Sequence, residues 1–183
     1  AAMVGSLSVR HLPELMPGFA GDVFSLGPEG LGALMSAFGA GGMLGSLWMA
    51  NRNRVQGTTM IFFVGLMGNA VFVFAFAATD IFLVGLASLA MFGFSMSTSG
   101  NGSQILIQTA VAGSLRARAM SLYSLTFRGG PAIGALVFGG LSTSFGLQAP
   151  VMAGAVVCFV IAAAIMVRRR VEVKSLMEKP SSS

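Results

Sequence analysis

Between Ile81 and Leu115 the chain carries no charged side chain. A helix needs about 20 mostly apolar residues to cross the hydrocarbon core of a bilayer, so this run is long enough to span one. Runs of the same kind recur at Leu31–Ala50, Thr58–Ala78, Met120–Phe145 (interrupted by Arg128) and Ala149–Val167. A further apolar segment, Ala1–Phe24, contains Arg10, His11 and Glu14. Charged residues make up 9% of the chain, against about 25% in soluble domains. The expected fold is therefore all-α and membrane-embedded, a bundle of six transmembrane helices. Their spans fall near 1–24, 31–50, 58–78, 81–108, 119–145 and 149–167, one domain over residues 1–170, with a polar tail at 171–183.

The formal net charge of +5 is not a nucleic-acid signature, because the basic residues are not gathered in one patch. Arg52 and Arg54 follow the second run, Arg116 and Arg118 the fourth, and Arg168–Arg170 the sixth. Asp22 and Glu29 follow the first run and Asp80 the third. Loops enriched in Lys and Arg stay on the cytoplasmic side. That rule predicts cytoplasmic loops at 51–57 and 113–119, a cytoplasmic C-terminus, and external loops at 21–30, 79–80 and 146–149. The alternation works only if the first segment also crosses. The chain opens with Ala and lacks a basic lead-in, which suggests a fragment cut near the start of a helix.

Enzyme chemistry has little to work with. There is one His and one Cys (Cys158, inside the last run), and Asp22, Glu29 and Asp80 fall in predicted loops. No metal-ligand spacing and no phosphate-cradling glycine loop is present. The expectation is a non-enzyme that needs no cofactor and no metal.

Polar groups inside a spanning helix need partners other than lipid, so they mark candidate sites. Ser97, Asn101, Gln104 and Gln108 recur at i, i+4, i+7 and i+11, a single stripe on one helical face. Ser hydroxyls can bond their own helix's carbonyls, but Asn and Gln amides cannot satisfy themselves fully that way. The stripe therefore predicts a cavity wall, with interhelical bonding as the alternative. In the first segment Arg10, His11 and Glu14 stand at i,i+3 and i,i+4 spacing, so the acid can meet either base. Pro13 and Pro17 beside them each remove a backbone donor, which predicts a kinked or interrupted helix. Arg128, directly before Gly129, Gly130 and Pro131, either snorkels to the surface or offers a fixed charge to an anionic group. Small residues repeat every four positions at Ala37, Gly41 and Gly45, the spacing that lets helix backbones approach closely in lipid.

Three stretches resemble a known family. They are "ELMPGFAGDVFSLGPEGLGALMSAFGAGG" from Glu14, "GAGGMLGSLWMANRNR" from Gly39, and "LRARAMSLYSLTFRGGPAIGALVFGGLSTSFGL" over 115–147. Their order and spacing resemble the C-terminal six-helix half of a major facilitator superfamily transporter, of the transmembrane secretion effector and enterobactin exporter branch. The resemblance implies half of a twelve-helix fold in the plasma (inner) membrane, whose first and fourth helices line a substrate path. It implies a permease acting as a proton-driven antiporter, in efflux of small amphipathic molecules or siderophore-like compounds. Partners would be a small-molecule substrate, membrane lipid, and the missing N-terminal half or a second copy. Arg10, His11, Glu14, Ser97, Asn101, Gln104, Gln108 and Arg128 are then the candidates for substrate path and proton coupling. Arg52, Arg54, Arg116 and Arg118 are the candidates for gating at the cytoplasmic loops. Where the family's loop motif carries an acid after the second helix, this chain has Met49. The alternative function is a membrane scaffold or interaction module that transports nothing.

Overall fold

The computed structural model describes residues 12–52, 58–110, 117–118, 120–125, 129, 136, 139–142 and 146–177. Five α-helices stand out: α1 (Leu12–Gly18), α2 (Pro28–Ala50), α3 (Thr58–Ala77), α4 (Phe82–Ala110) and α5 (Gln148–Met177). Helical pieces at 117–118, 120–125, 129, 136 and 139–142 lie between α4 and α5. Among the described residues four stretches are long and apolar enough to cross a membrane: Pro28–Ala50, Thr59–Ala77, Phe82–Ile105 and Gln148–Val167. Six spans are expected, and among the described residues the structure has four helices of that kind. The other two, 1–24 and 119–145, are described only in part.

The break expected around Pro13 and Pro17 falls just after them. Pro17 is accommodated inside α1, and the chain then widens into a π-helical turn over Phe19–Val23. Phe24 N–H closes that turn on Phe19 O at 3.0 Å, and Leu26 N–H reaches Ala20 O at 2.8 Å. A proline supplies no N–H and crowds the carbonyl one turn back, so Pro17 disturbs the turn before it and not the π-turn after it. The π-turn, a rare form, is held here by the packing of Phe19 and Phe24 on Phe76. Ser25, with φ 52°, completes the reversal into α2.

Pro28 at the first position of α2 carries no N–H where none is needed, and Glu29 sits in the first turn, where the helix dipole favours an acid. Helix therefore begins at Pro28, and the loop expected over 21–30 is shorter and partly helical. Between α3 and α4 the chain turns within Ala78–Ile81, where Thr79 Oγ1 accepts from Ile81 N–H at 3.2 Å. Pro150 is tolerated in the first turn of α5. That helix continues past the expected end at Val167 to Met177. The tail expected from residue 171 therefore begins as helix, because Arg, Val, Glu, Lys, Leu and Met include no helix breaker.

α4 is sandwiched between α2 and α3. It runs parallel to α2, where Gly41 faces Ala90 and Gly45 faces Phe94, and antiparallel to α3, where Gly65 faces Ser99 and Gly68 faces Ser95. A Cβ added at Gly45 would lie 2.6 Å from the Phe94 carbonyl oxygen, and one at Gly41 would collide with the Ala90 carbonyl. These backbones touch because the glycines allow it. The close-approach spacing read in the sequence thus operates at Gly41 and Gly45, both buried.

The core joins α1, α3 and α5, and Leu34 of α2 with Leu89 and Phe92 of α4 belongs to it too. Leu12, Met16 and Phe19 pack in one buried cluster with Ala70, Val73 and Phe76 of α3 and Val151, Ala155 and Cys158 of α5. Phe19 and Phe76 rings stand 4.8 Å apart, and Phe24 bridges Phe76 (5.9 Å) and Phe82 (5.7 Å). This aromatic cluster ties the π-turn to the ends of α3 and α4.

Candidate functional site

The polar residues of α4 divide between two faces. At about 100° per residue, Ser95 and Ser99 share one side, and Ser97, Asn101 and Gln104 lie roughly opposite. The first pair is buried against α3. On the other face the environment changes along the helix. Ser97 is half-buried against α2, its Oγ 3.1 Å from where a Gly42 Cβ would stand. Asn101 is half-buried and Gln104 exposed. Gln108 belongs to the same helix, but its side chain lies outside the described residues. Ser97 is therefore a helix-contact residue, and the open part of the stripe begins at Asn101.

Three hydroxyls of α4 bond carbonyls of their own helix. Thr98 donates to Phe94 O or Ser95 O, both at 3.0 Å, Ser99 to Met96 O at 3.1 Å, and Ser103 to Gly100 O at 2.7 Å. Ser103 also meets Tyr123 at 2.9 Å, and the Tyr123 hydroxyl reaches Gly100 O at 3.3 Å. Tyr123 thereby ties the helical stretch 120–125 to α4, a link that sequence spacing did not reveal.

Asn69 of α3 is the functional candidate that the sequence reading missed. It is 7% exposed, its Nδ2 donates to Ser99 Oγ at 3.2 Å, and its Oδ1 is buried with no partner. An interhelical bond of this kind in a membrane contributes about 0.6–2 kcal/mol. An unsatisfied buried acceptor costs about 1–3 kcal/mol. The two are of similar size, so the bond to Ser99 brings little net stability. The signal was legible: one amide in the otherwise apolar run after Thr59.

Glu14 is exposed, on the side of α1 away from the buried Leu12 and Met16. Arg10 and His11 lie outside the described residues, as do Arg54, Arg116 and Arg128. Arg52 and Arg118 are exposed, and the Arg52 guanidinium stands 5.9 Å from the Trp48 ring centroid. Asp22 and Asp80 lie together at the opposite end of the bundle. There Asp22, Asp80, Ser142 and Gln148 border a cavity of about 510 Å³, and Gln148 Nε2 donates to Asp80 Oδ1 at 3.0 Å. Among the described residues no group of three His, Cys, Asp or Glu side chains could hold a metal ion.

The sequence matches the family model of the Major Facilitator Superfamily over residues 2–182. No curated protein and no solved structure matches the chain. A match over nearly the whole chain, on a bundle of long apolar helices with close-packed glycine seams, settles the family: the chain belongs to the major facilitator superfamily of multi-pass membrane transporters, which carry small molecules.

Proposed function

We propose that the chain is the C-terminal six-helix half of a proton-driven exporter of small amphipathic or siderophore-like compounds. It would sit in the plasma (inner) membrane with its basic loops and C-terminus in the cytoplasm. Alternating access in this fold comes from two units rocking about a midplane site, so the half works with a missing N-terminal half or a second copy. The substrate path runs along α4 at Asn101 and Gln104. The observation that carries this reading is the exposed Gln104 and half-buried Asn101 on a membrane-length helix. An amide in contact with lipid is costly, so Asn101, inside the apolar span Phe82–Ile105, faces water or a partner, and Gln104 continues its face to the end of that span.

At 1.5 Å per residue α4 is about 43 Å long, and both residues lie in the half nearer the basic end. On the assignment of the basic loops to the cytoplasm, the proposed path opens on that side. Efflux, rather than uptake, rests on the resemblance of the stretches 14–42 and 115–147 to exporters.

Cysteine accessibility tests the path. In a Cys158→Ala background, Gln104→Cys and Asn101→Cys should react with a small water-soluble thiol reagent, since thiolate chemistry needs water at the site. Ser97→Cys should react slowly and Thr98→Cys, whose native side chain is 3% exposed, hardly at all. Equal protection of all four would mean that the stripe binds helices together and lines no path.

A further inference from the structure

We propose that Asn69 is a positioning residue for the transport path: by holding Ser99 it sets the rotation of α4 about its own axis, and so decides which side chains face water. The inference rests on the path reading above.

Three observations carry it. The first concerns what else could fix the rotation. α4 meets both neighbours across glycines, Gly41 and Gly45 on α2 and Gly65 and Gly68 on α3. Such seams bring backbones close; on the α2 side the Phe38 and Phe92 rings, 5.5 Å apart, pack beside them, so the contact left to the α3 side is the one at issue. On the α3 side Asn69 adds a directional hydrogen bond to Ser99.

The second is angular. With about 100° between successive residues, Ser99 and Ser95 point to one side of α4. Asn101 lies about 200° from Ser99 on that scale, and Gln104 about 140° from it. Pinning Ser99 to α3 therefore turns the amides away from α3. A rotation of α4 by a fraction of a turn would bring them toward a neighbouring helix. The Ser99 hydroxyl proton is already committed to Met96 O, so the oxygen presents its lone pairs in a fixed direction to the Asn69 amide.

The third is the unpaired Asn69 Oδ1, buried with the rest of the side chain. A half-satisfied buried amide is a worse choice for stability than an apolar side chain of similar size. Single buried polar residues are best attested as devices that fix register and orientation. Asn69 fits that use. Its free acceptor also distinguishes it from a residue selected for the strongest possible helix–helix bond.

The test uses the full chain in membranes, with Gln104→Cys and Thr98→Cys each in the Cys158→Ala background. With Asn69 present, Gln104→Cys should label at least about tenfold faster than Thr98→Cys. Asn69→Leu should reduce that ratio to about twofold or less, while the thermal midpoint of the detergent-solubilised protein stays level or rises. Ser99→Ala removes the acceptor from the other side and should reproduce the loss of contrast. It also decides the matter if Asn69→Leu does not insert. A contrast that survives both substitutions overturns the proposal, and so does a fall in thermal midpoint with the contrast intact, which marks a merely structural bond. If the ratio is already near unity with Asn69 present, the path reading itself falls and this inference falls with it.

Discussion

At the scale of single residues, one chemical rule governs this chain: a polar side chain in a spanning helix must find a partner or water. Thr98, Ser99 and Ser103 find carbonyls on their own helix, Asn69 finds half of what it needs, and Gln104 is exposed. Glu14 is the acid to test for proton coupling, because it sits exposed on α1, shortly before the π-turn, rather than in a loop. Glu14→Gln keeps size and hydrogen-bonding capacity but cannot carry a charge. In the complete transporter this substitution should abolish transport driven by a pH gradient and leave substrate binding nearly unchanged. Normal gradient-driven rates would make Glu14 a structural acid and place the proton site elsewhere. The polar stripe was legible in the sequence as a periodicity. Which of its members are open was not, because Ser97 is covered only through the approach of Gly42 on another helix.

At the scale of helices, the glycines decide how closely α2, α3 and α4 approach. Gly45→Leu would force a side chain into the Phe94 backbone, whereas Gly39 has nothing within 4 Å of its would-be Cβ. Overpacking costs typically about 1–3 kcal/mol, and an exposed helical Gly→Ala change gains up to about 1 kcal/mol. Gly45→Leu should therefore lower the thermal midpoint and the monodisperse yield in detergent, while Gly39→Ala should leave both unchanged or improved. Equal tolerance at the two positions would show that α2 and α4 do not pack through this seam. Spacing alone marked Ala37, Gly41 and Gly45 as a set but could not name the opposing helix. The π-turn at Phe19–Val23 was legible only as a disturbance near two prolines, since its place depends on how Phe19 and Phe24 dock on Phe76.

At the scale of the molecule, charge separates the two ends. Asp22 and Asp80 border one cavity, whereas Arg52 follows the C-terminus of α2 and Arg118 lies in the helical piece at 117–118 that comes after α4. On the cytoplasmic assignment of the basic end, Glu29→Cys should react in intact cells with a membrane-impermeant thiol reagent, and Ala117→Cys should react only after permeabilisation. Both native side chains are exposed, so burial does not confuse the comparison. Labelling of Ala117→Cys in intact cells would overturn the orientation and with it the cytoplasmic opening of the path.

The solvent and the class of the protein follow from the sequence by itself, because a run of about 20 apolar residues has few stable fates outside a bilayer. Helix ends at Pro28 and Ala77 came within a few residues of expectation for the same local reason: proline, glycine and charge act over one turn. What the tertiary structure alone decided is which face of each helix meets which neighbour. Periodicity groups Ser97 with Asn101 and Gln104, yet it assigns no partner to any of them. Only packing separates the serine covered by α2 from the glutamine left open, and only packing sets Asn69 against Ser99 across thirty residues of chain. In lipid the hydrophobic pattern carries no inside and outside, so close approach and hydrogen bonding make that choice.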